Sequence, residues 1–114
     1  MEQDMRDTAS TGIKPTRDME ALISELCSAL LTPESAREMR LLLTDLCTPP
    51  EIRTLAERWH VAGLLDEGRL SYRDIHEATG VSTTTIVRVA RFLRQEPHQG
   101  YRRAIDGLGG GNAG

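Results

Sequence analysis

Apolar residues follow helical spacing along most of the chain, and short runs of Thr, Pro and Gly interrupt them. Met19, Leu22, Ile23, Leu26 and Leu30 fall at i, i+3, i+4, i+7 and i+11, the stripe of a helix with one buried face. This predicts a first helix over residues 17–31. Thr32-Pro33-Glu34 then stops it and opens a second, with Thr32 as cap and Pro33 in the first helical position. That second helix runs to about Leu46, with Ala36, Met39, Leu42, Leu43 and Leu46 on one face. Thr48-Pro49-Pro50-Glu51 repeats the punctuation with a full Thr-x-x-Glu capping box and starts a third helix, which continues to Glu67. In the third helix Ile52, Leu55, Ala56 and Trp59 form one stripe, while Val61, Ala62, Leu64 and Leu65 carry apolar surface further round. A helix apolar on more than one side is central or lies at an interface. Trp59 is therefore expected to be a core or interface aromatic. Gly68 ends this helix.

The stretch Ser71–Leu93 predicts two short helices about a tight turn at Thr79-Gly80-Val81. Ser71 caps the first, with Asp74 three residues on reaching back to it. Gly80 sits where the chain must leave a helix through a left-handed conformation. Ser82 caps the second. Ile75, Val81, Ile86 and Val89 are spaced to bury the facing sides, which leaves Thr83, Thr84, Val87, Arg88 and Arg91 outward on the second helix. That outer face suits base edges and phosphates, and the whole is a helix-turn-helix pattern. Beyond it, Pro97 opens one more helix with Tyr101, Ala104, Ile105 and Leu108 as its apolar face. No stretch alternates with period two. The fold class is all-α.

Composition sharpens this picture. The chain has 114 residues with one Trp, one Phe and two Tyr, so a monomeric core would be thin and burial shared between copies is expected. Residues 1–15 are polar and of mixed charge and read as an arm. Residues 16–108 form the domain, and residues 109–114 are a Gly-rich tail. The tail formally spells G-x-G-x-x-G, but no strand precedes it and no helix follows, so the nucleotide-binding reading fails. The net charge is −3. Through Gly68 there are 7 basic and 13 acidic residues (−6), and from Arg69 onward 7 basic and 4 acidic (+3). A basic module on an acidic scaffold permits attraction to phosphate. Cys27 and Cys47 have neither metal spacing nor a disulfide framework around them and read as small buried hydrophobes. No run is long enough to span a membrane and no secretory signal pattern opens the chain, so a cytoplasmic location is expected.

The block from Leu46 to Leu93 resembles the Trp repressor superfamily, in particular its YerC/YecD-type branch. The resemblance rests on Leu-Cys-Thr-Pro at 46–49, Ala-Glu-Arg at 56–58, Leu-Leu-x-x-Gly at 64–68 and Gly-Val-Ser-Thr-x-Thr-Ile-x-Arg-Val at 80–89. The flanking helices fit in order and length. The likeness implies a Trp-repressor-like helical bundle carrying the helix-turn-helix, assembled as an intertwined homodimer whose N-terminal helices wrap the partner. It also implies that Arg58 and Arg88 match the arginines that sandwich the family's indole effector, with Thr48 and Thr85 lining the same pocket. Two departures follow. Val89 stands where a glycine leaves room for the ligand, an overpacking cost of about 1–3 kcal/mol, and Phe92 replaces a serine that helps bind the ligand's amino group. Tryptophan is not expected as the effector, and Arg58 and Arg88 are expected to bond carboxylates or phosphates instead.

The function these residues imply is a sequence-specific, DNA-binding transcriptional regulator, a repressor by likeness, acting on double-stranded DNA as a homodimer. Tyr72, Arg73 and an outward His76 lie on the first helix of the motif near backbone or base edges. Ser82, Thr83, Thr84 and Val87 face the major groove, and Arg88 or Arg91 meets phosphate. The alternative is a helical protein-interaction module that keeps the fold without specific DNA binding, since this face lacks Asn, Gln and Lys. An enzyme fits poorly. His60, His76 and His98 have no metal spacing, no Ser or Cys has a nucleophile context, and no cofactor is implied.

Overall fold

In a computed structural model the chain is described over residues 15–109. The arm and the tail fall outside these, apart from Pro15 and Gly109. Six helices occur in the order α1 (Met19–Leu30), α2 (Ala36–Leu46), α3 (Pro49–Glu67), α4 (Tyr72–Thr79), α5 (Thr83–Arg94) and α6 (Gly100–Gly107). There is no strand among the described residues. The chain divides into two compact units, one through Asp45 and one from Leu46.

In the first unit α1 begins one residue after Asp18, whose carboxylate accepts from the Glu20 amide at 3.1 Å. Its expected apolar stripe is present but uncovered. Met19 is 60% exposed, Ile23 46% and Leu26 41%, and neither α1 nor α2 contains a buried residue. The start of α2 differs from the reading at Thr32. The Thr32 hydroxyl donates to the Ala29 carbonyl at 2.8 Å and so closes α1. Ser35 caps α2 instead, its Oγ accepting from the Glu38 amide at 3.1 Å, while Glu38 reaches back to the Glu34 amide at 2.8 Å. Ser35-x-x-Glu38 is itself a capping pattern, and it outcompetes the Pro33 start because a serine and a glutamate together satisfy two amides. Cys27 is exposed and Cys47 half-buried, so neither is the buried hydrophobe expected.

The second unit holds the core. The capping box at Thr48 and Glu51 is formed in both directions, at 3.3 and 2.8 Å, and Pro49 and Pro50 occupy the first turn of α3. Gly68 ends α3 in the left-handed region at φ 75. Val61, Ala62 and Leu65 of α3 are buried with Ile75 of α4, Val81 of the turn, Ile86, Val89, Ala90 and Leu93 of α5 and Ile105 of α6. Helix α5 packs on α3, α4 and α6 and is the centre of this unit. Two long-range bonds hold the helix ends: Arg94 Nη2 donates to the Leu65 carbonyl at 2.8 Å, and Arg102 pairs with Asp66 and, at 3.2 Å, with Asp106. The Leu65 carbonyl belongs to the last turn of α3 and has no helical donor, so the guanidinium fills an orphan acceptor. The hydrogen bond to Asp66, then that to Asp106, raises the Arg102 pKa above its ordinary value. Helix α6 starts at Gly100 and not at Pro97. Pro97 is used in the turn after α5, and Gln99 takes a left-handed φ of 56 while its side-chain Nε2 donates to the Glu96 carbonyl at 2.8 Å.

Gly80 has φ 77, and a Cβ added there would meet nothing within 4 Å. The cost of a side chain is thus conformational and not steric. Gly80→Ala is expected to lower stability by about 1–2 kcal/mol, the penalty of a left-handed L-residue, read as a fall in the urea midpoint with an unchanged slope. A midpoint equal to that of the native chain would show that the turn relaxes.

Candidate nucleic-acid interface

The face expected to read DNA is built by two caps and a turn. Ser71 accepts from the Asp74 amide at 3.0 Å, and Asp74 accepts in return from the Ser71 amide at 3.4 Å. This fixes the start of α4. The Gly80 amide donates to the His76 carbonyl at 2.8 Å, which closes it. The Thr79 hydroxyl donates to the Ile75 carbonyl at 2.6 Å and accepts from the Val81 amide at 3.1 Å. With Val81 buried, the turn has little freedom to move. Ser82 then accepts from the Thr85 amide at 3.1 Å and donates to the Thr85 hydroxyl at 3.0 Å. Both hydroxyls are committed to starting α5.

His76 is exposed, as expected, but it is also tied down. Its Nδ1 lies 2.7 Å from the Val81 carbonyl oxygen. A carbonyl only accepts, so Nδ1 carries the proton, and Nε2 is the ring nitrogen without a partner among the described residues. The ring thereby ties α4 to the turn. This contact was invisible in the sequence because it joins residues whose relative placement depends on the turn itself.

The remaining expected contacts sort into free and committed groups. Thr83, Thr84 and Val87 are exposed on α5, and Val87 is 52% accessible. Tyr72 is half-exposed on α4. Arg73 is exposed and pairs with Glu77 at 3.3 Å, and Arg91 pairs with Glu96 at 2.7 Å. The Arg88 guanidinium lies over the Phe92 ring at 4.4 Å from its centroid, with Arg91 at 5.7 Å. Such contacts are worth about 0.5–1 kcal/mol at exposed sites, and exposed ion pairs about as little. A phosphate would displace them at small cost.

Of the four residues that resemblance assigned to an effector pocket, Arg88 lines a cavity and the others are placed as follows. Thr48 is held in its capping box, and the Thr85 hydroxyl accepts from the Ser82 hydroxyl at the start of α5. Arg88 lines a cavity of about 340 Å³ together with Phe92, His98, Gly100 and Tyr101. The Phe92 and His98 rings stack there at 6.0 Å. Arg58 stands one turn before Val61 and Ala62 on the inner stripe of α3, and its Nε is buried with no partner. Among the described residues neither Arg58 nor Arg88 pairs with a carboxylate, which leaves phosphate as the other partner expected of them. Val89 is fully buried in the core, and Trp59, 39% exposed, leans on Tyr101 at 6.4 Å.

A profile of the Trp repressor protein family matches residues 21–108. The chain belongs to the Trp repressor family. It is 38% identical over 84 residues to YerC of Bacillus subtilis (strain 168), a protein described as uncharacterised, covering 74% of this chain and 79% of YerC. It is also similar to the crystal structure of a TrpR-like protein from Eubacterium eligens ATCC 27750, with a TM-score of 0.71 and 39% identity over 78% of this chain and 90% of that one. The Trp-repressor-like all-α bundle expected from the Leu46–Leu93 block is thus the fold of the family. No helix among the described residues is long and apolar enough to cross a membrane.

Proposed function

We propose that this member of the Trp repressor family is a cytoplasmic, sequence-specific DNA-binding regulator that acts as a homodimer and does not use tryptophan as corepressor. Its DNA-reading unit is residues 71–93 within a domain of residues 16–108. The observation that carries this reading is the outer face of α5. Thr83, Thr84 and Val87 stand exposed on a helix whose start is fixed by two hydroxyls and whose inner face is buried. A rigid helix with uncommitted side chains at its N-terminal turns is what major-groove reading requires. A homodimer sets two such helices about one turn of DNA apart and makes the site roughly palindromic. Arg88, Arg91 and Arg73 supply phosphate contacts, Tyr72 and His76 flank them, and Ser82 sits at the positive helix end.

The corepressor reading rests on Val89 and Phe92. Val89 fills the core, and Phe92 is covered by Arg88 on one side and stacked with His98. Calorimetry with tryptophan is expected to give no heat of binding, and micromolar binding would overturn this part.

The direct test is fluorescence anisotropy on labelled duplexes over a range of salt. Binding is expected at low salt, with log K falling linearly as log salt rises. Arg91→Ala should weaken binding to all duplexes alike and flatten that slope by about one unit. The second reading, a protein-interaction module, draws on the pairing of Arg73 and Arg91 with acids of the same face. Failure to bind any duplex at low salt would favour it over DNA reading.

A further inference from the structure

We infer that the α5 face reads thymine, through the C5-methyl groups exposed in the major groove, with Val87 as the principal reader and Thr83 and Thr84 beside it. The inference rests on the DNA-binding reading above and names what that surface recognises.

Side chains that identify bases by paired hydrogen bonds are Arg or Lys for guanine and Asn or Gln for adenine. The outward face of α5 has no Asn, Gln or Lys. Its two arginines are the ones placed on phosphate above, and their guanidiniums reach toward the far end of the helix: Arg88 lies over the Phe92 ring, and Arg91 bonds Glu96 in the turn beyond the helix. Both are occupied toward the C-terminal half of α5, away from the first turns that approach base edges. The hydroxyls of Ser82 and Thr85 are engaged with each other and with the cap. What remains at the N-terminal turns is Thr83, Thr84 and Val87. Positions 83 and 84 precede 87 by four and three residues, so the three share one surface of the helix. Each carries at least one methyl group, and Val87 carries nothing polar at all.

A half-exposed valine at the centre of a groove-facing patch is a poor partner for the polar edges of guanine and cytosine. It is a good partner for the methyl of thymine, the apolar feature of the major-groove edge, and the Thr methyls extend the same contact. Burying one methyl in such a contact changes affinity about fourfold, and about fifteenfold when both half-sites of a palindrome lose it. The Thr83 and Thr84 hydroxyls retain one weak hydrogen bond each, enough to orient but not to rank the four bases.

The experiment is selection of bound duplexes from a random pool by the full-length chain, followed by substitution of single thymines by deoxyuridine, which removes only the methyl. A consensus with thymine at the position facing α5, and a roughly fourfold loss on one deoxyuridine substitution, is expected. Placing 5-methylcytosine where cytosine is otherwise disfavoured should recover part of that loss. Val87→Ala should shrink the fourfold difference between thymine and deoxyuridine to less than twofold while leaving the thermal melt unchanged, because Val87 lies outside the core. Tight binding to a selected site that is indifferent to deoxyuridine, or a consensus ranked by guanine at that position, overturns the methyl reading and leaves DNA binding standing. No selected duplex at all overturns both.

Discussion

Ile86→Ala is expected to lower the unfolding free energy by about 2–5 kcal/mol, the range for deleting a fully buried aliphatic side chain. Ile86 is inaccessible to solvent, as are Ile75, Val61 and Val89. It lies on α5, the helix that packs against α3, α4 and α6. A cavity there removes contacts from several partners at once, and α4 joins the core through Ile75 and the turn at Val81. Proteins of this size have about 5–15 kcal/mol in total, so the substitution takes a large share. The measurement is a urea titration followed by circular dichroism, with Val87→Ala as control. Val87 is exposed on the same helix and should stay within about 0.5 kcal/mol of the native chain. Equal losses at 86 and 87 would mean that α5 is not seated as described.

The features legible in the sequence are those decided within four residues. The caps at Thr48, Ser71 and Ser82 and the left-handed glycines 68 and 80 form where their spacing places them, because each bond joins near neighbours. Two such patterns compete locally at the start of α2. Thr32-Pro33 and Ser35-x-x-Glu38 both announce a start for α2, and the second prevails because it satisfies amides at Glu34 and Glu38 together. Pro97 is ambiguous in the same way, since a proline suits a turn as well as a first helical position, and here it takes the turn. Contacts between distant residues were not legible. The bond from Arg94 to the Leu65 carbonyl spans 29 residues and the pair Arg102–Asp66 spans 36. Periodicity says which face is inward and nothing about which polar group waits there. The candidate site divides the same way. Spacing identified the outward residues of α5, whereas the tether from His76 to Val81 and the diversion of Arg88 and Arg91 depend on geometry that no local pattern encodes.

Leu26→Glu is expected to convert the proposed homodimer to monomer, raising the dissociation constant by at least a hundredfold. Met19, Leu22, Ile23 and Leu26 lie on one stripe of α1, each between 39% and 60% exposed. Four large aliphatic side chains in contact with water along twelve residues are an expensive arrangement for a chain that gains about 1.5–3 kcal/mol from covering each. Helix α1 has no buried residue of its own to justify its pattern. Leu41, Leu46, Leu55 and Trp59 are also exposed. An apolar stripe of this length along α1 marks an interaction site, and a second copy supplies a like surface to meet it. A glutamate placed at the centre of that contact must be buried without a partner or must keep the copies apart. Light scattering after gel filtration should give twice the 12.6 kDa chain mass for the native protein and the chain mass for the variant. The native melting temperature should also rise with protein concentration, because association stabilises the folded state by mass action. A native chain that runs as a monomer, with a melt independent of concentration, would remove the dimer and with it the paired recognition helices. Should the variant fail to fold, Leu41→Glu keeps the question open to measurement, since Leu41 is 64% exposed on α2.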